Sequence, residues 1–446
     1  MAGRRMAFSA ILLNSIAPIP DGMWRHPRAA NGYDFATPEY WEDIARTLER
    51  GGFDAVFLAD LLHPHEVYAG SHEPTLRFGA QCPIHDPLML VPIIARATRH
   101  LGIGVTVSTS AEYPYQLARR LSTLDHLTGG RVGWNVITSF NEGSFRALGI
   151  DQPPRDERYA RADEFLDLCY QLWDSWQPDA IVEDRESGVY ANPAKVSRVE
   201  HEGRYFRCDA LFPVKPSPQR RPVIFQAGSS PEGREFAARH GEIIFAIQQW
   251  TPEMRAFDDD LRGRIAAAGR DPQAVKLIYQ LQVVTGETEE AARAKLAELQ
   301  SLVRVEGALT LLSGIVGYDF SRHAPGDPLT DVSATGVRAG LESILAASSR
   351  RDGGFTIADA ARLYGLSSGS PLVVGSPSQV ADQLEEFADE GGADGFNLLA
   401  TDMPGSYRDF VDLVVPELRR RGRVRAHYAG STLRENLAQE VAAFAG

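Results

Sequence analysis

Small polar residues recur at the ends of short apolar runs in this chain. Asp60 follows Phe53–Leu58, and Thr106, Ser108 and Thr109 end the run from Ile103. Asn135, Thr138 and Ser139 end the run from Val132, and Gln226, Gly228, Ser229 and Ser230 end the run from Val223. Such side chains hydrogen-bond a ligand rather than attack it. Each alone also looks like a turn or cap residue. Four strand ends carrying them together are less easily explained that way.

The run Val223-Ile-Phe-Gln-Ala-Gly-Ser-Ser-Pro-Glu-Gly233 takes an apolar strand through Gly228 and two serines into a helix start at Pro231. Amides and hydroxyls at a helix N-terminus bind phosphate, and glycine lets the backbone approach closely. The plainer reading makes Ser230 a helix cap with Pro231 in the first helical position. In Arg131-Val-Gly-Trp-Asn-Val-Ile-Thr-Ser139, Trp134 and Asn135 interrupt a strand that should be apolar. A buried Asn needs partners, either structural ones or a planar polar ring. Arg158 and Tyr159 open a long helical pattern, where Tyr159 either reaches a ligand or packs as core.

His63-Pro-His65-Glu66 has the residue types of a metal site but no third ligand at a known spacing, so no metal is expected. Asp258–Asp260 reads as a solvated helix face, and Glu200–Arg204 and Arg419–Arg425 as charged surface segments.

The elements that must position these groups alternate. Strands are expected to start near residues 6, 53, 103, 132, 223, 242, 275 and 395, with helical patterns between them, such as Thr37–Arg50, Tyr115–Leu127 and Glu157–Trp176. Eight such strands predict an α/β fold, a TIM (β/α)8 barrel, whose active site lies at the C-terminal strand ends. A doubly wound open sheet is the competitor, but it carries a Gly-rich dinucleotide turn not found here. Two stretches break the rhythm: about 178–221, and about 306–371 with one helical pattern at Val337–Ala346. They read as long insertions in the barrel's loops, the second a candidate cover, within one domain spanning 1–446.

A net charge of -13 argues against nucleic-acid binding. Cys82, Cys169 and Cys208 form no CxxC and no even pairing, which fits a reducing compartment. The run Ala7–Leu13 is too short for a membrane span and precedes no cleavage-like site, so a cytoplasmic protein without a membrane is expected.

The run Arg119-Arg-Leu-Ser-Thr-Leu-Asp-His-Leu-Thr-Gly-Gly-Arg-Val-Gly-Trp-Asn-Val-Ile-Thr-Ser139 resembles a stretch of the luciferase-like flavin monooxygenases, in the nitrilotriacetate and dibenzothiophene-sulfone branch. Phe53–Asp60, Arg158–Trp176 and Pro222–Ser230 resemble further segments of that family, in order, over most of residues 6–250. The resemblance implies a bacterial-luciferase-like barrel that uses reduced FMN and dioxygen, through a peroxyflavin, to oxidise a small organic substrate. It places Asp60, Thr106, Tyr159 and Ser230 at FMN-contacting positions and Asn135 beside the flavin, and implies that Gly228 and Ser229 belong to the phosphate strand. The flavin carries the chemistry, and Asn135 is the one catalytic candidate. Arg155 stands where relatives often have His, and His85 where many have an acidic residue. Arg155 is kept as a cofactor-binding candidate. No G-x-G-x-x-G follows a strand, so a separate NAD(P)H:flavin reductase is expected to supply reduced FMN. A homodimer or homotetramer is expected.

Two rivals share the barrel or the ligand: a deazaflavin-dependent hydride-transfer enzyme, and a non-catalytic flavin-binding protein. The Trp134-Asn135 strand favours FMN over the first, and eight strands speak against the second, whose members are truncated. The aromatic residues near Met23, Trp24, Tyr33 and Phe35 lean toward a less charged substrate.

Overall fold

The computed structural model describes residues 4–438 except 17, 31–33, 229, 334 and 338. Eight parallel strands close into a barrel: β1 (Ala7–Leu13), β2 (Ala55–Ala59), β3 (Gly102–Ser108), β4 (Val132–Ile137), β5 (Val223–Gln226), β6 (Ile243–Ala246), β7 (Lys276–Thr285) and β8 (Gly395–Leu399). Pairing runs in sequence from β1 through β7, β7 pairs β8, and β8 returns to β1. That closure rules out the open sheet. Each strand starts within two residues of its expected place. A ninth strand, Leu372–Gly375, lies outside the ring and pairs Gln282–Thr285 at the top of β7. Its four residues are too few to show a period in the sequence.

Inside the barrel, alternate residues form an apolar plug that includes Ile11, Phe57, Phe225, Phe245, Ile278 and Leu399. The Phe57 and Phe245 rings lie 4.6 Å apart, and Phe225 and Phe245 5.7 Å apart. Phe225 fits because Gly104 and Gly133 carry no Cβ; one built at Gly133 would lie 2.9 Å from the ring, and one at Gly104 would overlap it. Below the plug, Leu433 and Leu437 of the Leu433–Ala438 helix close the N-terminal end. The glycines Gly102 and Gly104 lie inside β3.

Two stretches read as surface are partly buried. Asp54 at the start of β2 is enclosed by Arg5, at 3.0 Å, and Arg425, and accepts the Phe8 amide at 2.9 Å. Arg423 and Arg425 are therefore core residues. Asp258 is buried too, paired with Arg262 at 2.7 Å. Charge runs conceal such residues because a buried ion pair and a solvated face have the same composition.

Residues 178–221 form two antiparallel hairpins, Ile181–Asp184 with Val189–Ala191 and Arg198–Glu202 with Arg207–Leu211. The second insertion holds three helices rather than one: Val305–Val316, Ala339–Ser349 and Ile357–Ser367. They share a core of their own, including Leu309, Leu312, Phe320, Ile344 and Tyr364. The stretch reads as loop because its helices carry glycines. Those glycines make room: a Cβ at Gly307 would lie 2.5 Å from Asp21 Oδ1, and one at Gly314 would overlap His65.

Candidate active site

Above the phenylalanine plug the barrel interior turns polar. Strand alternation carries Ser9 inward between Ala7 and Ile11, and Asn397 two residues before Leu399. The same parity brings in Thr106, Asn135, Gln280 and Gln282. Ser9, Asn397 and Gln280 are register partners across β1, β8 and β7, and Thr106 and Asn135 across β3 and β4. Asn135 Nδ2 donates to Thr106 Oγ1 at 3.0 Å, and Gln280 Nε2 to Ser370 Oγ at 2.7 Å. Other polar atoms here are buried without a partner among the described residues: Asn135 Oδ1, Asn397 Oδ1, Ser9 Oγ and both amide atoms of Gln282. Each unmet group costs about 1–3 kcal/mol, so this layer suits a ligand with polar edges. Trp134, expected beside Asn135, faces outward and donates to the Val107 carbonyl at 3.0 Å.

Asp60 follows β2 at the mouth. Burial, with the Asp86 carboxylate adding to it, pushes its carboxyl up to about 6, against the Leu61 amide that Oδ1 accepts at 2.9 Å. The sequence signal for Asn397, Gln280 and Gln282 was a polar side chain at inward parity in a strand, the same sign that singled out Asn135.

The end of β5 and the long helix Arg155–Asp174 meet beside the mouth. Ser230 caps the Pro231–His240 helix, accepting the Gly233 amide at 3.1 Å. Gly228 and Gly233 pack backbone to backbone, so that a Cβ on Gly228 would lie 2.6 Å from Gly233 Cα. Tyr159 is partly buried, which raises its hydroxyl, and it shares a hydrogen bond with the Ser230 side chain. The cap reading of Ser230 thus holds, and its side chain also meets Tyr159. Ser229 lies outside the described residues, as does Tyr33. Arg158 is buried, gives an N–H to the Ser139 carbonyl, and leaves Nε unpaired. Burial first, then Arg155, lowers its pKa, and among the described residues no carboxylate answers its charge. An uncompensated buried cation next to a helix N-terminus is the complement of a phosphate. Arg158 was not singled out as a ligand-binding residue; in the sequence it looks like any helix-surface arginine.

The profile of the family described as "Luciferase-like monooxygenase" matches residues 16–395. The chain belongs to that family. It is 40% identical over 427 residues to the dibenzothiophene-sulfone monooxygenase of Rhodococcus erythropolis, covering 94% of this chain and 93% of the relative. It is 36% identical over 432 residues to the nitrilotriacetate monooxygenase component A of Aminobacter aminovorans, covering 95% of each. The solved structure of DmoA from Hyphomicrobium sulfonivorans matches with a TM-score of 0.91 and 40% identity, over 97% of this chain and 92% of that one. The protein is an oxygen-incorporating flavin oxidoreductase of the luciferase-like type.

In this luciferase-like monooxygenase the second insertion lies across the barrel mouth. It touches the loop after β1, where Asp21 accepts the Arg304 amide at 3.0 Å, and the loop after β2, where Gly314 packs on His65. Arg155 Nη2 donates to the Gly336 carbonyl at 3.2 Å, and Gln249, after β6, to the Gly369 carbonyl at 2.7 Å. Arg155 thus ties the cover to the long helix. His63 and His65 serve packing: His63 Nδ1 is 2.8 Å from the Pro64 carbonyl, and His65 is buried against Gln81 Oε1 at 3.3 Å. Among the described residues no group of three His, Cys, Asp or Glu stands close enough to hold a metal.

Proposed function

We propose that this chain is the oxygenase of a two-component system. It takes reduced FMN from a separate NAD(P)H:flavin reductase and uses dioxygen to oxidise a small organic substrate. One combination carries the reading: the buried, unanswered Arg158 beside Tyr159 and Ser230, level with a barrel mouth lined by unmet amide oxygens. A flavin mononucleotide offers a phosphate to the first and a polar ring edge to the second. The word "component" in the nitrilotriacetate relative's name supports the separate reductase.

Bound reduced FMN supplies the electrons and the oxygen activation. The chain's own residues bind, orient and exclude. Arg158, Tyr159 and Ser230 hold phosphate, with Gly228 giving close backbone approach. Asn135 and Thr106 fix the ring edge, and Asp60, protonated below about pH 6, donates or accepts at the mouth. The helical insertion keeps water out.

Among the described residues no single helix is long and apolar enough to cross a membrane. A cytoplasmic place and a homodimer or homotetramer fit this reading. The exposed Val182, Val189 and Tyr190 on the outer hairpin suit contact between copies. The relatives' names pair an uncharged sulfone with a tricarboxylate, so family alone leaves the substrate open.

The test is oxygen uptake by the purified chain. With reduced FMN supplied from outside, uptake should follow a course different from that of free reduced FMN, which dioxygen oxidises unaided, and NADH alone should drive none. Robust NADH oxidation by the chain without a reductase overturns the two-component reading.

A further inference from the structure

We infer that the substrate is an uncharged, largely apolar molecule, and that the rim of the barrel mouth rejects polyanions. This rests on the oxygenase reading and adds the charge class that the site accepts.

A substrate carrying two or three carboxylates needs protein cations to replace its water. Basic side chains around the mouth, among the described residues, are already engaged. Arg28 pairs with Asp402 at 3.0 Å and Asp409 at 2.9 Å, and Arg146 pairs with Glu66. Arg25 and Arg304 stand about the buried Asp21. Burial pushes His65 down to about 4, so it is neutral at ordinary pH. Arg155 and Arg158 serve the Gly336 and Ser139 carbonyls beside Tyr159 and Ser230, where the phosphate is proposed. Two carboxyl groups, Asp60 and Asp86, interact at the mouth. An incoming polyanion meets like charge, and the cations named here, among the described residues, already have partners or serve the proposed phosphate site.

The rim offers aliphatic surface instead. Leu62, two residues after Asp60, is 46% exposed, and Leu148, Ile150 and Val337 are 37%, 48% and 37% exposed. These residues lie on three segments that meet. Asn141 Nδ2 donates to the His63 carbonyl at 3.3 Å, Arg146 pairs with Glu66, and Arg155 reaches Gly336, next to Val337. The segments are the loops after β2 and β4 and the covering insertion. Exposed aliphatic side chains gathered at the edge of a site mark what the site binds.

For a thioether the reaction balances as one sulfide, one dioxygen and one reduced FMN giving one sulfoxide, one oxidised FMN and one water. An S–O bond forms and the O–O bond breaks. The sulfur is oxidised by two electrons. Two further electrons and two protons come from reduced FMN, and the second oxygen leaves as water.

The experiment uses the full chain with photoreduced FMN and three sulfides of rising charge: thioanisole, (phenylthio)acetate and thiodiacetate. Sulfoxide and peroxide are measured together. The expected result is a fall in kcat/KM of at least about tenfold for each carboxylate added. Leu62→Arg should narrow the ratio between thioanisole and (phenylthio)acetate about tenfold, with melting temperature and FMN affinity unchanged, while Leu62→Ala should leave that ratio alone. Equal turnover of the carboxylated sulfides overturns the inference. So does oxygen uptake with no sulfide oxidised, or a Leu62→Arg ratio identical to that of the unaltered chain. If the chain neither binds reduced FMN nor changes the course of its reoxidation from that of free reduced FMN, which dioxygen oxidises unaided, the oxygenase reading itself has failed.

Discussion

Asn135 Nδ2 donates to Thr106 Oγ1 at 3.0 Å across β3 and β4, and this bond aims the unpartnered Asn135 Oδ1 as a buried acceptor. Asn135→Ala loses one hydrogen bond, roughly 1 kcal/mol of stability. It should cost far more in coupled turnover, because a misplaced ring loses oxygen as hydrogen peroxide before it meets substrate. Product and peroxide measured together at saturating reduced FMN check this. An unchanged product-to-peroxide ratio in the folded variant makes Asn135 a structural residue only.

Ser230 both caps a helix and bonds Tyr159, so the informative substitution separates the two roles. Ser230→Asp keeps a capping oxygen but sets a negative charge where the phosphate is proposed. The melting temperature should stay within a few degrees, and FMN affinity should drop by 100-fold or more, on the order of 3 kcal/mol. FMN titration and thermal unfolding on the same preparation report both. Retained FMN affinity would place the phosphate elsewhere.

The barrel was legible because its strands are buried on both sides and read as plain apolar runs spaced by amphipathic helices, as in Ala7–Leu13 and Pro38–Arg50. Asn135 stood out because an amide interrupts such a run. Gln280, Gln282 and Asn397 interrupt theirs in the same way, but late strands with mixed polar content hide the sign. Arg158 and Asp258 were not legible at all. Whether a charged helix residue faces solvent or core depends on which helix face the barrel covers, and that is a tertiary fact. The covering insertion misled for another reason. Gly307 and Gly314 lower helix propensity, yet they permit close packing on Asp21 and His65.

Asp60 gives a pH prediction with a definite sign. Its folded pKa is raised to about 6 from 3.8. The folded state therefore holds this proton more tightly than the unfolded chain, and stability falls as pH rises between those values. Asp60→Asn removes that cost. The variant should be more stable than the unaltered chain above about pH 6, by at most about 3 kcal/mol, with the difference shrinking toward pH 4. Urea unfolding at several pH values measures it. A difference independent of pH would refute the assignment of the shift to Asp60.

Gly314 packs against His65, and an added methyl would overlap the imidazole. Gly314→Ala should cost about 1–3 kcal/mol through overpacking, felt first where the insertion meets the loop after β2. Limited proteolysis should then cut within residues 305–371 sooner, and the peroxide fraction should rise as the cover admits water. Equal proteolysis rates and an equal peroxide fraction would show that this contact does not hold the cover.

Arg158 is buried and its charge is unanswered by any carboxylate among the described residues. Arg158→Met keeps the aliphatic stem and removes the charge, so the ligand-free chain should be no less stable, because an uncompensated buried cation is lost. FMN should bind about 10- to 100-fold more weakly, the worth of one or two charge-assisted hydrogen bonds. Riboflavin, which has the ring and no phosphate, is the control. If Arg158 answers the phosphate, riboflavin affinity stays the same in the two proteins while FMN affinity falls. If Arg158 only holds the Ser139 carbonyl, both flavins weaken together, because the end of β4 shifts and the ring pocket shifts with it. Isothermal titration of both flavins against both proteins distinguishes the two, and equal weakening of FMN and riboflavin removes Arg158 from the phosphate site.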